Sequence, residues 1–268
     1  STYLNYRDHR KICVIDGNIG YTGGINLADE YINEVDRFGH WKDNAIMLRG
    51  EAVWSMTVMF LSLWDYVRRE ENSIPSFIPP EPVVDGKGYV QPYTDNPLDD
   101  EPVGGSVYMN LISRATRYIH IMTPYLIIDY GMMQALTNAA KSGVEVVILT
   151  PHIPDKWYVH AVTRAHYEDL VKAGVKVYEY TPGFLHSKVF TMDGQYATVG
   201  TINLDFRSLY LHFENGVFLY DADCVAQVEQ DVQNTIAVSQ EVTLEQCRAT
   251  SVPVRLMRAV LRLLAPLM

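Results

Sequence analysis

The stretch His186-Ser187-Lys188-Val189-Phe190-Thr191-Met192-Asp193, with Gly200-Thr201-Ile202-Asn203 after it, decides how this chain is read. An echo stands near the start: His9-Arg10-Lys11-Ile12-Cys13-Val14-Ile15-Asp16, then Gly23-Gly24-Ile25-Asn26. In both copies Lys follows His by two residues, Asp by seven and Asn by seventeen. A lone H-x-K carries no information, but two matches of four polar residues at one spacing do. His and Lys at i and i+2 share one face of a β-strand. The residues around and after Lys (Ile12, Val14, Ile15; Val189, Phe190, Thr191) predict buried strands, with Cys13 in one of them. Asp16-Gly17 and Asp193-Gly194 predict tight turns that close hairpins. The return strands bring Asn26 and Asn203 beside their His and Lys. Each copy then offers an imidazole, an ammonium and an amide, a set suited to a phosphate.

The repeat runs further. Asp43-Asn44-Ala45-Ile46-Met47-Leu48-Arg49-Gly50 aligns with Glu214-Asn215-Gly216-Val217-Phe218-Leu219-Tyr220-Asp221, and each leads into an apolar-periodic helix (Glu51–Arg69; Ala222–Ser239). This nominates Asp43 and Glu214 as carboxylates that orient the imidazoles through a ring N–H. A longer α/β run precedes His186: strands at Tyr89–Tyr93, Tyr118–Pro124, Val144–Pro151 and Val175–Tyr180, with helices around Val107–Thr116, Gly131–Ser142 and Tyr158–Ala173. Strands alternating with helices predict an α/β protein with a mostly parallel sheet. Duplicated motifs predict duplicated lobes. Only eight residues precede His9, so the first lobe is expected to lack its opening strands and to belong to a longer protein, with an open β edge that invites self-association.

The doubled pattern H-x-K-x4-D-x6-G-[GST]-x-N resembles that of the phospholipase D superfamily. Gly23 to Asn26, Phe38 to Asp43, Thr123-Pro124-Tyr125, Tyr178 to His186 and Asn203 to Ser208 resemble the bacterial cardiolipin synthases, over nearly the whole chain. That resemblance implies two pseudo-symmetric lobes of mostly parallel or mixed sheets sandwiched by helices. Residues 1–72 would be the C-terminal part of the first lobe, 73–105 a linker and entry, 106–251 the second lobe, and 252–268 a terminal helix. It also implies catalytic roles for His9, Lys11, Asp16, His186, Lys188 and Asp193, with His9 as nucleophile and His186 as acid. Asn26 and Asn203 would bind the substrate phosphate. Tyr125, Arg164 and Arg207 match positions near the cleft. No metal or other cofactor is implied, and no H-x-x-x-H or H-E-x-x-H spacing suggests one.

The expected reaction is phosphatidyl transfer between two phosphatidylglycerol molecules with release of glycerol, at the cytoplasmic side of a bacterial inner membrane. Alternatives are a hydrolytic phospholipase D, a phosphodiester nuclease and a non-catalytic scaffold. A net charge of −10 and the lack of a basic stripe near either motif oppose nucleic acid as partner. Cys13, Cys224 and Cys247 form no C-x-x-C pair and read as reduced thiols. His120, His152, His160 and His166 read as structural, and His40 and His212 are expected to stay out of the pocket. Val252 to Leu264 reads as a helix with Arg255, Arg258 and Arg262 on one face and Leu256, Met257, Val260, Leu263 and Leu264 on the other. The expectation is a basic amphipathic helix lying in the headgroup region of an anionic membrane, its basic stripe over an apolar face and each Arg adding attraction; the alternative is that the apolar face docks on the second lobe.

Overall fold

The computed structural model describes residues 6–72, 74–79 and 86–267. Ser73 and residues 80–85, part of the expected linker, lie outside them. In the first part of the chain, β1 (Arg7–Asp8) leads to His9, and β2 (Cys13–Ile15) and β3 (Ile19–Gly23) form the first hairpin. Then come β4 (His40–Lys42), β5 (Ala45–Arg49) and α1 (Ala52–Arg68). The middle holds β6 (Tyr89–Asp95), α2 (Val103–Arg114), β7 (Tyr118–Met122), α3 (Tyr130–Lys141), β8 (Glu145–Pro151), α4 (Trp157–Lys172) and β9 (Lys176–Tyr180). The second motif spans β10 (Gly183–Leu185), β11 (Val189–Met192) and β12 (Tyr196–Gly200). After it follow α5 (Phe206–Tyr210), β13 (His212–Tyr220), α6 (Cys224–Ala237), β14 (Ser239–Glu241), α7 (Leu244–Arg248) and α8 (Val252–Leu263).

Both hairpins close as the dipeptides demand. Asp16 and Asp193 have φ of 52° and 54°, and Gly17 and Gly194 follow at 68° and 76°. Two successive left-handed residues suit a turn whose twist matches the strands, and Gly and Asp tolerate that conformation. The third strand of each unit pairs in the same register: Gly23 faces Ala45 on β5, and Gly200 faces Gly216 on β13. The sequence repeat is therefore a structural repeat, with β2-β3-β5 matching β11-β12-β13.

Among the described residues the large sheet has nine strands, in the order β1-β13-β12-β11-β7-β8-β9-β14, with β6 also pairing β13. Only β7, β8 and β9 run parallel in its centre; β11 turns antiparallel to β7. Alternation along the strands feeds two cores. Ile119, Ile121, Phe190 and Met192 pack under α2, α3 and α4. Met122, Val189, Val199 and Val217 pack on the other face against α6, β5 and α1. On that second face His120 and Thr191 both bond Glu229 of α6, the structural role expected for His120.

Two short parallel ladders join the motif copies crosswise. β1 runs beside the start of β13, so that Asp8 faces Phe213 and the His9 amide donates to the Phe213 carbonyl (2.9 Å). β10 runs beside β4, so that Leu185 faces Lys42 and the His186 amide donates to the Lys42 carbonyl (2.7 Å). Each imidazole is thereby carried beside the other copy's acid: Glu214 near the start of β13, and Asp43 directly after β4.

Three readings of the sequence are corrected. The first-copy strand is not buried: Cys13 is exposed and Ile15 is 46% exposed, because nothing among the described residues covers the outer face of the small sheet. A boundary at 105/106 would cut α2, which begins at Val103 because Gly104 donates its amide to the Asp95 carboxylate (2.7 Å). In α8 the apolar stripe faces outward and is not docked on the second lobe, while Arg side chains flank α4: Arg255 lies 3.7 Å from Glu168, and Leu256 and Leu263 are exposed.

The β10–β4 ladder is tight. A Cβ on Gly183 would lie 2.3 Å from the His40 backbone nitrogen and oxygen. Gly183→Ala is expected to part these strands and lower stability by about 1–3 kcal/mol. Gly105→Ala, in a helix with open space around it, is expected to raise stability by about 0.5–1 kcal/mol. Thermal or urea unfolding of the two variants checks the contrast.

Candidate active site

His9 leaves β1 and His186 leaves β10, and both enter a cavity of about 440 Å³. The crossed ladders fix what stands behind each ring. His9 Nδ1 lies 2.9 Å from both oxygens of Glu214. His186 Nδ1 lies 2.7 Å from Asp43 Oδ2, and Asp43 Oδ1 accepts the Asn44 amide at 2.9 Å. Burial alone would raise the Glu214 pKa, but the neighbouring His212 and His9 outweigh it and hold the carboxyl at about 2. Burial would raise Asp43 too, but the His186 hydrogen bond and the Lys188 charge hold it below the usual carboxylate range. An ionised carboxylate only accepts, so each Nδ1 donates, and each Nε2 keeps its lone pair for the cavity.

The lysines stand behind the rings. Lys11 Nζ donates to the His9 carbonyl (2.6 Å), and Lys188 Nζ donates to the His186 carbonyl. Burial lowers the Lys188 pKa to about 7 and that of Lys11 to about 8, against the raising pull of nearby acids that include Asp43 and Glu214. Asn26 and Asn203 line the cavity, as do Tyr125 and Arg207. Asn26 Nδ2 donates to the Tyr31 hydroxyl (2.6 Å), and Asn203 Oδ1 is buried without a hydrogen bond. Burial is the main reason the His186 pKa falls to about 4, with the Lys188 charge adding to it.

Three expected site residues are elsewhere. Asp193 sits at its hairpin turn and accepts the amides of Thr116 (2.8 Å), Arg117 (2.8 Å) and Tyr118 (2.9 Å). It clips β11 to the start of β7, because the seventh residue after His has already reached the far end of the strand. Asp16 occupies the equivalent exposed turn. Arg164, on α4, forks onto Glu179 (2.8 and 2.7 Å) outside the cavity.

The structure brings in His212, which was expected to stay out. Its ring centroid is 5.7 Å from that of His9, and its Nδ1 is 3.5 Å from Glu214. The repeat held the signal: His212 stands two residues before Glu214, as Trp41 stands two before Asp43. Residues i and i+2 share a strand face, and Trp41 correspondingly packs on His186, centroids 5.2 Å apart. His40 falls on the other face, 2.8 Å from the Tyr180 hydroxyl. Tyr31 and Asp155 also line the cavity without having been anticipated, and Asp155 accepts the Tyr125 hydroxyl (2.6 Å). Ligating atoms of His9, His212 and Glu214 lie within 4.8 Å of one another, a donor set that fits a cation.

Two histidines backed by carboxylates and two amides line one pocket, with two lysines behind the rings; such a set can take a phosphodiester, attack its phosphorus and protonate its leaving group. A family profile described as "Cardiolipin synthase, PLD-like domain" matches residues 108–236. An uncharacterized protein of Streptococcus mutans is 48% identical over the whole chain, which covers 58% of it. A cardiolipin synthase of Geobacillus kaustophilus is 39% identical, again over the whole chain, which covers 54% of it. The chain thus spans about half the length of the curated relatives it matches. The crystal structure of a phosphatidylserine synthase of Haemophilus influenzae shares the fold at TM-score 0.75 and 16% identity, over 99% of this chain and 72% of that one. Residues 108–236 thus match a PLD-like domain, and the chain is similar to cardiolipin synthases along its whole length.

Burial of the site has a consequence in acid. His186, His160 and His166 all have pKa values lowered to about 4, first by burial and then by neighbouring cations. The unfolded chain takes up these protons near pH 6.5 and the folded chain near pH 4, so stability is present above about pH 6.5 and lost as pH falls toward 4. Urea midpoints are expected to drop steadily across that window. His166→Leu, which removes a buried ring with no hydrogen bond, is expected to flatten the drop; an unchanged slope would sink this account.

Proposed function

We propose that the chain is the catalytic part of a phosphatidyltransferase that joins two phosphatidylglycerol molecules into cardiolipin and releases glycerol. The observation that carries the reading is the pair of imidazoles in one cavity, each locked at Nδ1 by the other copy's carboxylate. The names of the relatives support phospholipid as the substrate class.

In the first step Nε2 of His9 attacks phosphorus, the phosphorus–oxygen bond to glycerol breaks, and His186 gives its proton to the departing alkoxide. In the second, the terminal hydroxyl of another phosphatidylglycerol attacks the phosphohistidine. Its proton goes to His186, now the base, and the phosphorus–nitrogen bond breaks. The assignment of nucleophile and acid follows the family resemblance. Burial holds His186 neutral, so in this scheme it takes up its proton with the anionic substrate. Lys11, Lys188, Asn26 and Asn203 face the charge that builds on the non-bridging oxygens. Asp43 and Glu214 hold the tautomers and stabilise each imidazolium in turn.

His9→Ala and His186→Ala are each expected to lower transfer from labelled phosphatidylglycerol by roughly a thousandfold or more, with the double variant little worse than either. Additive losses would contradict a two-imidazole mechanism. Cleavage of a labelled oligonucleotide, with no lipid product, would replace this reading by the nuclease one. Release of phosphatidic acid without cardiolipin would replace it by the hydrolase. Chelators are expected to leave transfer intact, because His9 and Glu214 already work together as nucleophile and orienting group. Loss on chelation that a divalent ion restores would instead assign a metal to His9, His212 and Glu214.

A further inference from the structure

α8 is attached by its charged side. Arg255 lies 3.7 Å from Glu168 and Arg262 lies 4.0 Å from Asp169, both acids on α4, and Arg258 is partly buried. The opposite face carries Val252, Leu256, Val260 and Leu263, each between 52 and 80% exposed. A helix on a globular surface ordinarily buries its apolar stripe. This one presents it, and a contiguous exposed apolar face marks a contact with something outside the chain.

Its position says what that contact is. On the inward side of the helix, Leu261 and the adjoining Ala265 pack with Tyr125, Ile127 and Val159, which line the catalytic cavity, so the C-terminal end of α8 lies beside that cavity. Elsewhere on the rim, Leu27 is fully exposed and Ile32 is 64% exposed, beside the lining residues Asn26 and Tyr31; Trp157 is 65% exposed beside the lining Tyr158. Apolar side chains spread around the mouth of a polar pocket suit a lipid surface better than one flat protein partner. A diacyl substrate keeps its chains in the bilayer while its phosphate reaches the imidazoles, so the mouth must meet that bilayer. With a net charge of −10, and with Arg255 and Arg262 paired to α4, attraction to anionic headgroups does not supply the contact.

We propose that α8 is an interfacial helix: its apolar face lies at the headgroup–acyl boundary beside the active-site mouth, and its Arg side is the attachment to α4. The choice of a lipid surface rests on the phosphatidyl-transfer reading, so the test reads binding rather than turnover. The triple variant Leu256→Ser, Val260→Ser, Leu263→Ser changes only exposed positions and should keep the wild-type circular dichroism spectrum. In sedimentation with vesicles of phosphatidylglycerol and phosphatidylcholine, it is expected to bind at least tenfold more weakly than wild type. Wild-type binding is expected to change less than about threefold between about 0.1 and 1 M salt, where charge attraction would collapse. Val260→Trp is expected to be quenched by brominated lipid in the same vesicles.

Wild-type binding that survives the triple substitution, or that falls more than tenfold in salt, overturns the proposal. So does a wild-type dimer that the triple variant turns into a monomer, which would assign the face to a second copy. If vesicles are bound as expected and no lipid is turned over, the catalytic reading fails and the helix assignment stands.

Discussion

The hydrogen bonds from His9 to Glu214 and from His186 to Asp43 run between motif copies, not within them. Glu214 is wholly buried. A carboxylate in that position keeps its charge only where donors surround it, and its donors include the His9 ring and the Thr201 hydroxyl. Neither copy can satisfy its own acid with its own imidazole. The acid lies at the start of the third strand of its unit, while the His lies ahead of the first, carried by the short strand that pairs with the other copy. The two parallel ladders, β1 with β13 and β10 with β4, follow from this requirement.

The same requirement shapes the charge of the interior. Lys188 is 1% exposed, among Asp43, Glu214 and Asp205. Removing one partner from such a group leaves an uncompensated buried charge, which costs about 3–5 kcal/mol where it has been measured. The cluster is therefore interdependent: two lysines and two carboxylates surround two rings, the acids pulling the lysine pKa values up against burial and Lys188 holding Asp43 down. In the proposed transfer, a phosphodiester entering this space would meet donors already oriented, so that little reorganisation remains for the reacting state. The acidic balance of the whole chain and the paired charges around the pocket are separate matters: the lining sets Arg7, Lys156 and Arg207 against Asp8, Asp155 and Asp205.

Much of this was legible in the sequence, for stated reasons. The doubled spacing located both hairpins, both lysines and both amides, and the aligned tails found Asp43 and Glu214. What the spacing could not express was which copy an acid serves, because that depends on pairing between strands far apart in the chain. It also overvalued Asp16 and Asp193. Their type and position are dictated by a left-handed turn, and a turn residue recurs at fixed spacing whether or not it touches substrate. His212 was missed because it was weighed as a lone histidine; aligned with Trp41, it occupies the place where a ring packs on the opposite imidazole. The amphipathicity of α8 was plain, but acids on α4 decided which side faces out, and nothing in α8 itself announces them.

The copies are alike in sequence and unlike in surroundings. β11 and β12 lie inside the large sheet, between β7 and β13, with helices on both sides. β2 lies at the edge of a three-stranded sheet whose outer face shows Ile15, Tyr21 and Met47 to solvent. The imidazoles inherit the difference: the His186 side chain is 8% exposed and that of His9 is 27% exposed. In the proposed two-step transfer one ring gives a proton while the other attacks without one. Burial keeps His186 neutral, so in that scheme its acid role requires the proton to arrive with the anionic substrate.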